Sequence, residues 1–301
     1  MNMNKYSVKR TNEFLKWLLI FYDIFKGRGK STYDKKHIQY IVERFKYEFN
    51  SDLANLNAAQ ECIDFIATSF RKNKIEDSRI VRIGPNKDSG YVIADLFNKP
   101  SIVSGGAGKN IDFEISLAQH GSKVMIFDPT IKKLPAYHEN IEHIKIALEG
   151  KPSGEFAKST SLGNLHLSRF EDGHYLKLDI EGSEWNLLEN LGDGIQIYDQ
   201  LIIEFHNLYM ITNQQFRQTV ISVITTLCDN FKLINFHPNN WRTFVFFGKA
   251  GIPEVFEATF IRNDHAVGER KANEFLNFAN NPSRPNLPNA IYNSTLGPIY
   301  L

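Results

Sequence analysis

Apolar positions along the chain change their period once, near residue 79. Before that point they recur at helical spacing. Ile38, Ile41, Val42, Phe45 and Phe49 share one face over residues 37–49, and Cys62, Ile63, Phe65, Ile66 and Phe70 share one over 58–70. Both stretches predict amphipathic helices. Beyond it, short apolar runs at 102–104, 123–127, 143–147, 175–178, 201–205 and 231–236 alternate with helical patterns. The clearest of those patterns is Phe216, Val220, Val223, Ile224 and Leu227. This alternation predicts an α/β fold, a mostly parallel sheet with helices on both faces. Val255 to Ile261, after Pro253, predicts a seventh strand at the edge of the sheet. The tail from Asn277 to Leu301 is rich in Pro and Asn. It is expected to lie extended over the domain rather than to add to the sheet. The expected organisation is a helical extension over 1–75, an α/β domain over 76–265 and an extended tail over 266–301.

Composition narrows the classes. Hydrophobic residues are 42% and charged residues 23% of 301, a globular balance. A net charge of +1 argues against nucleic acid as a partner. Cys62 and Cys228 lie in apolar helical patterns and read as buried thiols of a reducing, cytoplasmic compartment. The run Phe14 to Phe25 holds Lys16 and Asp23, lacks a signal cleavage pattern and falls short of the ~20 residues a bilayer span needs. It predicts a packed amphipathic helix. With Lys5, Lys9 and Arg10 nearby, residues 1–75 are also the candidate for a peripheral contact with the inner membrane face or with a second copy of the chain. Gly27-Arg-Gly-Lys-Ser31 approaches a phosphate-binding loop. However, the motif's first glycine would fall on Ile24, and no apolar strand leads in.

Three places carry chemistry. Ser104, Gly105, Gly106, Ala107 and Gly108 follow the first buried strand and precede a helix opened by Asp112. Glycines there let backbone amides approach a ligand, and the helix N-terminus favours negative charge. Ile111 stands where the dinucleotide fingerprint has its third glycine, which weighs against a pyrophosphate ligand. Asp128 ends the second strand about 20 residues on, where a carboxylate accepts the ribose hydroxyls of an adenosine. Ala147 ends the third run and joins the candidate cofactor residues. Leu176-Lys-Leu-Asp-Ile-Glu-Gly-Ser-Glu-Trp185 delivers Asp179 to the carboxyl edge of the sheet, with Ser183 placed to cap the next helix. Glu204 and His206 end the fifth strand and His237 the sixth, so all are expected at the same crevice as Asp179. Imidazole beside carboxylate suits a general base or a divalent cation.

Asp179-Ile-Glu-Gly-Ser-Glu-Trp185 resembles the most recognisable stretch of the FkbM-type branch of class I S-adenosylmethionine (SAM)-dependent methyltransferases. Arg82-Ile-Gly84, Asp88-Ser-Gly-Tyr91, Glu204-Phe-His206, His237-Pro-Asn-Asn240 and Pro253 to Thr259 follow in the same order. Ser89 departs from a glycine in that pattern. The resemblance spans residues 82–261 and implies a seven-stranded, Rossmann-like sheet. It also implies SAM as cofactor, bound by Ser104 to Gly108, Asp112, Asp128, Ala147 and Asp179, and a methyl acceptor hydroxyl on a sugar, surface-glycan precursor or secondary metabolite. Asp179, Glu204, His206 and His237 are then the candidate catalytic residues.

Catechol O-methyltransferase and several sugar O-methyltransferases hold magnesium at the strand end that Asp179 matches. By that likeness Asp179, His206 and His237 are candidate ligands of magnesium, manganese, iron or zinc. The rival without a metal has His206 or His237 taking the acceptor's proton. Two other classes use the same crevice differently: a nicotinamide-dependent oxidoreductase, and a non-catalytic adaptor.

Overall fold

The computed structural model describes Tyr47 and residues 51–77, 79–85, 89–150, 158–162, 173–239, 242, 244–266, 290–293 and 295–301. The expectations for the Phe14–Phe25 helix, the glycine-lysine stretch at 27–31 and any contact through residues 1–46 lie outside them.

The described chain runs α1 (Leu53–Asn73), β1 (Ile80–Ile83), β2 (Tyr91–Ala94), β3 (Ser101–Gly105), α2 (Asp112–Gln119), β4 (Val124–Phe127), β5 (Ile141–Ile144), β6 (Ala147–Leu148) and β7 (Ser159–Thr160). It continues through β8 (His174–Leu178), α3 (Glu184–Leu191), β9 (Gln200–Phe205), α4 (Gln214–Asn230), β10 (Phe231–Pro238), β11 (Phe244–Phe247), β12 (Ala250–Pro253), β13 (Phe256–Arg262), β14 (Ala290–Asn293) and β15 (Gly297–Tyr300). The central sheet has seven strands in the order β10-β13-β9-β8-β3-β4-β5. The predicted α/β class with a seven-stranded sheet is thus the fold the chain adopts.

Alternation along the strands sorts the two faces. Val103, Leu176, Leu178, Leu201, Ile203 and Phe205 pack with α1, α3 and α4 in one core. Ile102, Val124, Ile126, Tyr175 and Ile202 pack with Phe113 and Leu117 of α2 and with the β1–β2 hairpin in another. Period-two side-chain placement is what lets one strand serve both. Among the described residues no helix is long and apolar enough to cross a membrane.

Three expectations change. The strand after Pro253 is not at the edge: β13 runs antiparallel between β9 and β10, leaving β10 outermost. Phe256, Ala258, Phe260 and Ile261 are all buried, and a strand so apolar needs a neighbour on each side. Residue 75 is not a packing boundary either. Ala59, Cys62, Ile63, Ile66, Ala67 and Phe70 of α1 belong to the main core, and Phe70 meets Phe236, Phe256 and Phe260 edge-on. The described residues of the tail stay off the central sheet but do form strands: β14 and β15 join the β11–β12 hairpin in a second small sheet. Cys62 and Cys228 are both free thiols, and burial pushes that of Cys62 up to about 12.

Candidate functional site

The site lies at the carboxyl edge of β3, β8 and β9, on the face covered by the β1–β2 hairpin. Beneath it runs a buried polar chain. Ser104 Oγ donates to Glu114 on α2 (2.6 Å), and Lys177 Nζ lies 3.7 Å from that carboxylate and 3.8 Å from Asp179. Lys177 also donates to the carbonyl of Gly106 (2.8 Å), so one buried cation joins the glycine turn to both acids. The Ser104 hydroxyl is therefore committed below the crevice, to α2.

The turn from Gly105 to Gly108 needs its glycines. Gly106 has φ 80, and a Cβ there would stand 1.9 Å from the carbonyl oxygen of Asp179. The loop and the end of β8 touch backbone to backbone at that point. Over Gly108 the space is open, with nothing within 4 Å of where a Cβ would be. Asp128 closes the other side. Its Oδ2 accepts from the amides of Ala107 (3.0 Å) and Gly108 (3.1 Å), and its Oδ1 accepts from the Thr130 amide and hydroxyl (2.8 and 2.6 Å). Burial would raise this carboxyl, but those four donors outweigh it and hold its pKa below the usual range. Asp112 opens α2 exposed to solvent, and Ala147 is buried on β6, donating its amide to Lys158.

Asp179 is 26% exposed, and its Oδ2 accepts from the hydroxyl of the buried Tyr91 (2.8 Å). Burial works against its charge, yet Lys177, His206 and Tyr91 together lower its pKa. His206 Nε2 is 4.0 Å from Asp179 and 3.8 Å from Glu181. Burial disfavours the imidazolium, but Glu184, Glu204 and Asp179 hold the pKa up at about 10. Glu204 accepts from Asn239 and is raised, by burial first and then by the charge of Asp179. Asp179, Glu204 and His206 thus meet as expected.

His237 stands further along the edge, outside the Asp179–Glu181–His206 cluster. It pairs with Glu257 on β13, which pairs with Glu204 on β9. Two strand spacings, roughly 10 Å, separate its backbone from that of Glu204. Equal distance along a sheet edge does not bring side chains together when a returning strand is inserted between them.

Nor does Ser183 cap α3 through its side chain. Glu184, fully buried, accepts from the amides of Ile180 and Gly182 instead. Tyr91, Lys177, Glu181, Glu184 and Asn239 also belong to the site, and the sequence patterns do not single them out as site residues. Lys177 had a legible signal, a cation between Leu176 and Leu178 in a buried strand. Ser89 adopts φ 71, a left-handed conformation at the position where the FkbM pattern has glycine.

No protein-family model matches the chain. It is 35% identical over 112 residues to the human chain named "probable methyltransferase-like protein 24", covering 31% of this chain and 29% of that one. The rat counterpart is 30% identical over 108 residues, with the same shares covered. Over that stretch the chain is similar to a methyltransferase-like protein. It spans under a third of those relatives' length. The structure of fibrillarin in complex with Nop5p aligns with 56% of this chain and 74% of its own, at 12% identity and a TM-score of 0.33.

Proposed function

We propose that this chain transfers the methyl group of SAM to a hydroxyl of a small polar acceptor, a sugar or glycan precursor being the class in view. The observation that carries this is the contact of Gly106 with the Asp179 backbone, with Asp128 closing the same loop. That contact brings the loop bonded by Asp128 and the Asp179–His206 group to the same sheet edge. SAM supplies a methyl group activated on a sulfonium. Asp128 would hold the ribose hydroxyls; its four acceptor positions are already used, so the exposed Thr130 is the donor that gives way. The open space over Gly108 suits the amino-acid end.

Transfer forms a C–O bond as the C–S bond breaks, with the electron pair left on sulfur. Most of the work is in-line positioning. The hydroxyl proton needs an acceptor near neutral pH, and Glu204, raised by burial and by Asp179, is matched to that task. His206, whose carboxylates favour its protonated form, is the poorer base, and a cation at Nε2 would have to displace the proton from that nitrogen. Asp179 and His206 are the candidates to hold a divalent cation, which would lower the acceptor's pKa.

The test is incubation with SAM and a panel of hydroxyl-bearing sugars and nucleotide sugars, read as gain of one methyl group, with and without EDTA. Stabilisation by NAD but not by SAM in a thermal-shift assay would reject the reading. Asp128→Ala is expected to weaken S-adenosylhomocysteine binding by about 1.5–3 kcal/mol per charged hydrogen bond lost; unchanged affinity by calorimetry would take Asp128 off the ribose.

A further inference from the structure

The turn between β8 and α3 holds two carboxylates with unusual settings. Glu181 is 83% exposed and sits at φ 54, left-handed without being glycine. Such a backbone is strained and persists only where its surroundings over-determine it. Glu184 supplies that determination. Its Oε1 accepts from the amide of Ile180 (2.8 Å), and its Oε2 accepts from that of Gly182 (3.0 Å), gripping the chain on both sides of Glu181. The same Oε1 lies 3.1 Å from Nδ1 of His206. One fully buried carboxylate therefore fixes the turn that presents Glu181 and, together with the Glu204 carbonyl 3.1 Å from Nδ1, the ring that presents Nε2. Donor atoms of Asp179, Glu181 and His206 all lie within 4.8 Å of one another.

We propose that Glu184 is the positioning residue of a divalent-cation site whose ligands are Asp179, Glu181 and His206. The proposal rests on the cation reading given above and deepens it, replacing His237 with Glu181 as the third ligand. Bonds of about 2.0–2.2 Å require the donors to draw closer than they stand here. Asp179 is anchored by Tyr91, and His206 by Glu184, so the contraction falls on the exposed arm of Glu181. With its Nδ1 facing Glu184, the ring offers Nε2 to the cation, the arrangement in which a carboxylate behind a ligand imidazole tunes metal affinity. One nitrogen and two carboxylates favour manganese, iron or zinc over calcium or magnesium.

The test is titration of the full chain with Mn2+, followed by loss of the free-ion electron paramagnetic resonance signal. S-adenosylhomocysteine affinity is measured in parallel by calorimetry. Glu184→Gln keeps the volume and an acceptor for the ring, but turns an N–H towards the Gly182 amide. It is expected to weaken Mn2+ binding by about 10–100-fold while S-adenosylhomocysteine affinity stays within about twofold. Glu181→Ala, exposed and without a role in the core, is expected to cost a similar factor. Unchanged Mn2+ affinity in Glu184→Gln overturns the positioning role and leaves the cation reading intact. Unchanged affinity in Glu181→Ala removes the third ligand and the proposal with it. Parallel loss of both affinities in Glu184→Gln marks a structural role only and overturns the proposal. A wild-type chain that binds no Mn2+ overturns both readings.

Discussion

The two edges of the central sheet handle charge in opposite ways. At the amino edge, Asp199 accepts from Arg262 (2.8 Å), His265 (2.7 Å) and the His174 amide (2.8 Å), and Arg262 reaches on to Asp264. Partners are matched, and Arg262 is 27% exposed. At the carboxyl edge, Asp179, Glu181, Glu184 and Glu204 face Lys177 and His206, four acids against two bases, most of them buried. Glu181 and Asn207 both hold left-handed backbones there. The amino edge uses charge to fasten strand ends. The carboxyl edge keeps an excess of negative charge and strained turns, as sites prepared for a cation or a proton do.

The frame that carries both edges is the first thing to break. Deleting the residues before Ile75 removes α1 and with it Ile63, Ile66 and Phe70 from the core. At about 1.5–3 kcal/mol for each large apolar side chain, the loss approaches the whole stability of a domain. No cooperative melting transition is expected; a truncated chain that melts like the intact one would show α1 to be an appendage after all.

Lys177→Ala comes next. It leaves the buried Glu114 and the partly exposed Asp179 without their cation, and about 3 kcal/mol should be lost in denaturant titration. Arg262→Ala at the amino edge should cost under about 1 kcal/mol, because the pairs are partly exposed and Asp199 keeps His265 and the His174 amide. Equal losses at the two sites would erase the contrast between the edges.

Glu254, buried at the carboxyl-edge end of β13, titrates in the folded chain at about 7, raised from 4.5 by burial. The folded state therefore holds this proton more tightly than the unfolded one. Its stability contribution is complete below pH 4.5, declines between 4.5 and 7, and is lost above 7. The decline amounts to about 3 kcal/mol at 1.36 kcal/mol per unit. Glu254→Gln should flatten that slope and make the protein more stable than wild type at pH 8. A variant whose stability falls in parallel with wild type would clear Glu254 of the effect.

Much of this is legible in the sequence. Short apolar runs and helical stripes located the strands of the central sheet and α4, because burial in a sheet or on a helix face constrains residue type locally. Gly106 and Asp128 were legible for the same reason, since a tight turn at a strand end and a carboxylate at the next one are local statements. Asp179, Glu204 and His206 converge because adjacent parallel strands end together. What the sequence left open depended on which strands are neighbours and which hydrogen bonds win. The insertion of β13 beside β9 carries His237 away from the crevice. The docking of α1 turns an apparent extension into core. The choice of Glu184 over Ser183 at the head of α3 follows from a ring nitrogen that arrives from β9. Each joins residues distant in the chain, and their pairing is decided by packing geometry rather than by residue type or spacing.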